Sequence, residues 1–325
     1  MGISRREFLG TTTLGVTAGP LLAAKGDKAG MPTRVLGKTS ARVSILAFGC
    51  GSRFLKYDDE GAAVEALTRA LDHGITYVDT ADDYGTNHLS EQRVGKALKG
   101  RRQGIFLATK LSNRDGSQSQ RIVEESLKAL QVDQIDLIHI HALASLDDLA
   151  KIEEKGGVLE QLQKIKSQKM TRFIGITCHA DPEALKTALE RHDFDVTQMA
   201  LNAGQVSMKS GKGGMVPNDA MKTSFQQLAL PVANRKKMGV IAMKVMAQDA
   251  LIGQTTAEKL LQYSLSLPVT ACVVGMPKVE HIDANINLAK SFKPMSALEM
   301  RQLAEPLSER NKQALDRFFT DHVDV

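Results

Sequence analysis

Tryptophan is absent from the 325 residues, and tyrosine (4) and phenylalanine (10) are sparse. With so few flat rings, little is available to build a stacking platform for single-stranded nucleic acid. Basic residues outnumber acidic ones by only 42 to 37, a formal charge of +5. Arg5, Arg6, Lys25 and Lys28 against Glu7 and Asp27 supply two of those five charges, and no dense basic block follows. Nucleic acid is therefore not an expected partner. Cysteine is limited to Cys50, Cys178 and Cys272, each in or beside an apolar run. Such an odd, scattered set offers no disulfide framework and no CxxC metal or iron–sulfur site, and reads as small buried residues. No stretch of about 18 apolar residues occurs, so no transmembrane helix and no stable membrane insertion are expected. What is present, 42% hydrophobic and 24% charged, is a globular composition sufficient for one large α/β barrel or two ordinary domains.

Residues 1–24 differ in character from the rest. Ser4-Arg5-Arg6-Glu7-Phe8-Leu9 leads into a weakly apolar stretch with Thr11, Thr12, Thr13, Gly15 and Gly19, and then small residues up to Ala24. This segment resembles a twin-arginine (Tat) export signal, which implies the twin-arginine export machinery as a partner and a periplasmic or exported destination. The expected organisation is a signal peptide with a short linker over 1–30, and one domain over 31–325 ending in a helical tail.

From residue 45 onward, short apolar runs alternate with amphipathic segments. Ile45–Gly49, Ile75–Thr80, Ile105–Lys110 and Ile135–His141 start 30 residues apart, the length of a strand plus a crossover helix. Phe173–Thr177, Asp195–Leu201, Gly239–Met246 and Ala271–Met276 continue the series. Between them, Val64, Leu67 and Leu71 share one helical face, as do Val123, Leu127 and Leu130, and Leu159, Leu162 and Ile165. Asp181-Pro182 reads as a helix start, and Ser90 as the cap of the helix carrying Val94 and Leu98. Eight buried strands, each followed by a helix, predict a (β/α)8 TIM barrel. An open doubly wound sheet is the alternative, but Phe48-Gly49-Cys50-Gly51-Ser52-Arg53 lacks the third glycine of its fingerprint. Thr33–Ser44 is expected to form an N-terminal β-hairpin plugging the barrel, and Gly204–Asn218 a long flexible loop.

In such a barrel, chemistry sits at the C-terminal ends of the strands. Those ends carry Asp79 with Tyr84 behind it, Lys110, and His141. Tyrosine has an ordinary pKa of about 10, and a neighbouring ammonium lowers it. Lys110 is expected to do this, with Asp79 holding Lys110 in place and His141 donating to a carbonyl oxygen. The set suits a hydride transfer in which Tyr84 supplies the proton.

Tyr77-Val78-Asp79-Thr80-Ala81-Asp82-Asp83-Tyr84-Gly85 strongly resembles the first signature of the aldo-keto reductases. The likeness continues in Phe106–Lys110, in Asp136–His141 and in the opening Arg34–Ser40, and spans about residues 33–292. It implies a reductase of aldehydes or ketones using a nicotinamide cofactor, with Tyr84 as general acid, Asp79 and Lys110 tuning it, and His141 orienting the carbonyl. The same resemblance assigns the cofactor to Thr177, Cys178, Gln198, Met243, Lys244, Lys278, His281 and Asn285. Cys178 stands where the family usually has asparagine, and Met243 where many members stack an aromatic ring. The family's 2′-phosphate clamp aligns with Gly275 and His281, so NADP(H) is expected over NAD(H) with Lys278 or His281 as partial substitutes. Being exported, such an enzyme would fold and load its cofactor in the cytoplasm.

The substituted contacts leave a second reading open, a cofactor-binding sensor or regulatory barrel with little turnover. His139-x-His141 suggests a metal pair, but no later set of ligands accompanies it. His139 is instead expected inside the barrel as a hydrogen-bonded core residue, with Tyr77 the candidate partner; no metal and no iron–sulfur cluster are expected.

Overall fold

The computed structural model describes residues 30–211, 214–218 and 223–320, so the export segment expected over 1–30 lies almost wholly outside the described residues. In chain order the strands are β1 (Thr33–Val35), β2 (Arg42–Ser44), β3 (Leu46–Gly49), β4 (Tyr77–Asp79), β5 (Phe106–Leu111) and β6 (Ile135–Ile140). They continue with β7 (Thr171–Cys178), β8 (Val196–Ala200), β9 (Ser207–Gly211), β10 (Gly214–Asn218), β11 (Gly239–Met243) and β12 (Ala271–Val274). The helices are α1 (Glu60–Asp72), α2 (Leu89–Leu98), α3 (Gly116–Leu130), α4 (Leu146–Glu153), α5 (Val158–Ser167) and α6 (Pro182–Arg191). They are followed by α7 (Ala229–Arg235), α8 (Ala257–Ser266), α9 (Val279–Lys290) and α10 (Ala297–Thr320).

Strands β3 to β8, β11 and β12 pair in parallel, and β12 returns to β3, closing an eight-stranded barrel with helices between the strands. Each of these strands is buried along most of its length because the helices cover its outer face and its neighbours cover the inner one. That explains the continuous apolar runs. The inner face follows the two-residue period: Tyr77, Phe106, Leu137 and Phe173 fill its lower part, and Tyr77 stacks on Phe106 at 5.3 Å and Phe106 on Phe173 at 6.1 Å. Below them β1 and β2 pair as an antiparallel hairpin, with Leu36 and Val43 fully buried against the barrel's lower end. Arg34 ties the hairpin to the rim through the carbonyls of Val269 (2.7 Å) and Leu265 (3.0 Å).

Two local expectations change. Helix α2 starts one residue before Ser90, after His88 in a left-handed conformation, and Ser90 Oγ donates to the Cys50 carbonyl (2.7 Å) and meets Thr80 Oγ1 (2.8 Å). Ser90 thus locks α2 onto the strand ends instead of capping it. The segment expected to be a flexible loop contains the β9–β10 hairpin, with Ser207 opposite Asn218. Met208 is buried, and its N–H donates to the His179 carbonyl (2.6 Å), which anchors the hairpin to the end of β7. Asp181, in contrast, caps α6 as its position before Pro182 suggests, accepting from Glu183 N (2.9 Å) and Ala184 N (3.1 Å).

The upper interior is narrow. A Cβ on Gly175 would lie 2.5 Å from both the Val196 carbonyl oxygen and His139 Nδ1. The first of these is strand backbone and cannot move aside. Gly175→Ala is therefore expected to destabilise the fold by about 1–3 kcal/mol through overpacking, read as a lower denaturation midpoint.

Candidate active site

The strand ends open into a cavity of about 780 Å³ at the C-terminal mouth of the barrel. Asp79, Tyr84, Lys110 and His141 all line it, although they come from β4, the loop after it, β5 and the residue following β6. Lys110 is 2% exposed, and its Nζ donates to Asp79 Oδ2 (2.6 Å) and the Thr80 carbonyl (2.6 Å). The same ammonium lies 4.7 Å from the centre of the Tyr84 ring, which in turn meets the His141 ring edge-on at 5.5 Å. Burial alone would lower the Lys110 pKa, but Asp79 and Tyr84 outweigh it and hold the ammonium charged.

Tyr84 departs from the expectation. Its burial outweighs the pull of Lys110, with Asp79 and Asp83 adding to burial, so the phenol stands above its ordinary value. It therefore keeps its proton at neutral pH. A negative charge developing on a substrate oxygen would face a protonated phenol beside a fixed ammonium.

The cofactor assignments fare unequally. Thr177, Gln198, Met243 and Lys244 line the cavity. Thr177 Oγ1 accepts from Ala142 N (2.7 Å), while Gln198 Nε2 points at Met243 Sδ (3.7 Å) and its buried Oε1 has no partner among the described residues. Cys178 is not brought to the cavity. Its side chain turns outward between strand and helix, where Sγ meets the carbonyls of Leu143 (3.0 Å) and Asp181 (3.3 Å), and burial pushes its thiol up to about 12. Strand alternation decides this: Thr177 points in, Cys178 out, and the next inward residue is His179, which does line the cavity. Lys278 and His281 are exposed at the start of α9, and Asn285 is half-buried in the middle of that helix, all outside the cavity wall.

His179 was not singled out by its sequence context, though the period from Thr177 marks it. Burial, then Lys244 and His141, bring its pKa down to about 4. Lys244 is itself lowered to about 8 by burial, Arg53 and Lys110, and its Nζ reaches Gln248 Oε1 at 2.9 Å. Arg53, from the loop after β3, pairs with Asp249 across the mouth of the cavity. The β9–β10 hairpin contributes Met215 and Val216 to the wall. These residues come from four separate segments, after β3, after β7, in the β9–β10 hairpin and after β11, and only the fold brings them to one cavity.

His139 is fully buried, but neither of its ring nitrogens has a partner among the described residues, nor does Tyr77 Oη. The expected His139–Tyr77 hydrogen bond is absent because Tyr77 stacks on Phe106 and the His139 ring lies against Gly175. The three cysteines are free and buried.

With this geometry in view, the comparisons are direct. Residues 46–257 match the Aldo/keto reductase family. The chain belongs to that family. It is 35% identical over 296 residues to L-galactose dehydrogenase of Arabidopsis thaliana, covering 78% of this chain and 86% of that protein. The structure of the aldo-keto reductase AKR11C1 from Bacillus halodurans in its holo form is similar with a TM-score of 0.68 and 26% identity, covering 85% of this chain and 96% of that one. A Klebsiella pneumoniae aldo-keto reductase solved in complex with NADPH shares the fold, with a TM-score of 0.65 at 20% identity over 86% and 95% of the two chains. As an aldo-keto reductase, the chain is an oxidoreductase.

The Asp79–Lys110 pair should reveal itself in stability as well as activity. Lys110→Met leaves the Asp79 carboxylate buried and uncompensated and is expected to cost about 3–5 kcal/mol. Adding Asp79→Asn should restore much of that stability, read by chemical denaturation, without restoring reduction.

Proposed function

We propose that this aldo-keto reductase reduces a small polar aldehyde or ketone to its alcohol using NADPH, with Tyr84 as proton donor. The observation that carries the reading is the convergence of Asp79, Tyr84, Lys110 and His141 on one wall of one cavity. Its other walls suit a nicotinamide nucleotide. The buried, unpartnered Gln198 Oε1 offers an acceptor for a carboxamide N–H, and Lys244 and Arg53 offer positive charge to phosphates. Gly275 leaves room for this, since a Cβ there would lie 2.7 Å from the Arg53 side chain. Lys278 and His281 at the start of α9, with Asn285 further along it, would face the adenosine end, and the NADPH of the Klebsiella relative supports the phosphorylated form.

When bound, the reduced nicotinamide supplies the hydride. Everything else falls to side chains. His141 orients the carbonyl oxygen, and Tyr84 delivers a proton to it as the bond to carbon is reduced. Lys110, charged and immobilised by Asp79, stabilises the tyrosinate that results. Among the described residues lining the cavity, Tyr84 is the single aromatic ring besides the imidazoles, while Lys56, Asp83, His179 and Gln248 give the substrate end a polar wall. That wall favours a hydroxylated or charged carbonyl compound over a flat hydrophobic one. The export motif at Ser4–Leu9 supports passage through the twin-arginine machinery to the periplasm, with the nucleotide loaded beforehand in the cytoplasm.

Fluorescence titration of the stripped protein with NADPH and NADH tests the cofactor directly. Binding of NADPH at micromolar or lower concentration is expected, weakening as pH rises through about 8 because Lys244 loses its charge there. Lys244→Met should flatten that pH dependence. If neither nucleotide binds, the reductase reading fails. In steady-state assays, Tyr84→Phe should lower kcat by about 10²- to 10⁴-fold while leaving the NADPH dissociation constant nearly unchanged; retained turnover would remove Tyr84 from its role.

A further inference from the structure

We infer that Ser112, Asp82 and Asp83 hold the hydrogen of neutral His141 on Nδ1, so that Nε2 meets the substrate as a bare acceptor. The inference rests on the proposed reductase reading for its catalytic consequence, but not for its geometry. His141 Nδ1 lies 2.8 Å from Ser112 Oγ and 3.3 Å from Asp83 Oδ1. Ser112 has one hydroxyl hydrogen, and Oγ is 2.9 Å from Asp82 Oδ1, with Ser112 N donating to the other oxygen of the same carboxylate at 3.4 Å. An ionised carboxylate can only accept. Once the Ser112 hydrogen is committed to Asp82, Oγ presents lone pairs to Nδ1, as Asp83 does. Both partners therefore require a hydrogen on Nδ1, and a neutral imidazole then has none on Nε2.

The surroundings of the ring support this polarity. From the loop after β4 it is faced by Asp82, Asp83 and Tyr84, and from β5 by Lys110, whose charge acts on Asp83. Burial would raise Asp83, but His141, Ser112 and Lys110 bring it down to about 2, so it stays an acceptor across the working range. Arg114, after β5, donates to the His141 carbonyl (2.7 Å) and is paired with Asp148, so it fixes the backbone rather than the ring. His139 below and His179 after β7 interact with His141 while their own pKa values are lowered, chiefly by burial. Asp82, Asp83 and His141 also bring one ligand atom each within 4.8 Å of one another. The contacts of Ser112 with Asp82 and His141, and of His141 with Asp83, account for that grouping.

The consequence is a bias between the two directions of the reaction. A carbonyl oxygen offers only lone pairs, so it can accept from Nε2 only when the ring carries both hydrogens. In the reverse direction the alcohol hydrogen returns to Tyr84, so the enzyme that starts oxidation carries one proton fewer in all than the enzyme that starts reduction. Reduction thus calls for the imidazolium beside a protonated Tyr84, and oxidation for the same pair with one proton removed. Ser112, Asp82 and Asp83 are positioning residues that set this division through His141.

Long-range proton–nitrogen NMR of the full-length protein labelled at histidine nitrogen reads the tautomer without any assay of turnover, with His141→Gln assigning the signals. Above the titration of the ring, a protonated Nδ1 and a bare Nε2 are expected. A proton on Nε2 overturns the inference, whatever the outcome of the nucleotide titration; failure of the nucleotide titration with the Nδ1 tautomer intact would sink only the reductase reading. The kinetic counterpart is the wild-type reduction kcat/KM, which should fall about tenfold per pH unit above that titration while oxidation does not. In Ser112→Ala/Asp83→Asn, where the asparagine amide donates to Nδ1, the hydrogen moves to Nε2 and that descending limb should disappear. Identical pH profiles in the two proteins would overturn the inference as well.

Discussion

A lysine ammonium sits inside this barrel, 2% exposed, and the site is organised around keeping it charged. Burying a lone ammonium in low dielectric is costly enough that it would ordinarily give up its proton. Asp79, one strand away, and the Thr80 carbonyl each accept from Lys110 Nζ at 2.6 Å and prevent this. The pairing constrains the backbone around it. Asp79 has to lie on the last residue of β4 and Lys110 on the inward face of β5, so the register of those two strands, Asp79 opposite Ala108, is part of the site. Ser90 then ties α2 to the same strand ends through Cys50 and Thr80.

The charge so maintained acts on two neighbours in different ways. Toward Tyr84 it opposes burial without overcoming it, leaving a phenol that keeps its proton at neutral pH. Toward Asp83 it helps hold a carboxylate ionised beside His141. The surroundings of Tyr84 and His141 are thus both adjusted from one cation, although the two residues lie on opposite sides of it in the chain. The lower barrel contributes rigidity instead of chemistry: the stacked rings of Tyr77, Phe106 and Phe173 and the hairpin plug beneath them exclude water from the floor of the cavity.

At the open end the wall comes from loops that are distant in sequence. The Arg53–Asp249 pair joins the segments after β3 and β11, and the β9–β10 hairpin is pinned to the end of β7 by the Met208–His179 backbone bond. These contacts shape the substrate end with few aromatic rings and several polar groups. The barrel itself is built from local strand–helix units, so this mouth can vary without disturbing Asp79, Tyr84, Lys110 and His141.

The series of eight apolar runs, the first four at 30-residue steps, was enough by itself to specify the eight-stranded barrel, because a strand buried on both faces must be apolar and a crossover helix has a typical length. Asp79, Tyr84, Lys110 and His141 were legible for the same reason, since each stands at or just beyond the end of such a run. Period-two alternation, applied one residue further, would also have exchanged Cys178 for His179. What no linear reading could supply was the balance of energies in three dimensions. Whether Lys110 or burial dominates at Tyr84, and which nitrogen of His141 faces Ser112, depend on distances between segments 30 or so residues apart in sequence. The conversion of Gly204–Asn218 from an expected loop into a wall-forming hairpin was likewise decided by an anchor on β7. Electrostatic and hydrogen-bond energies fall off over a few ångströms, so they are set only once the fold has brought those segments together.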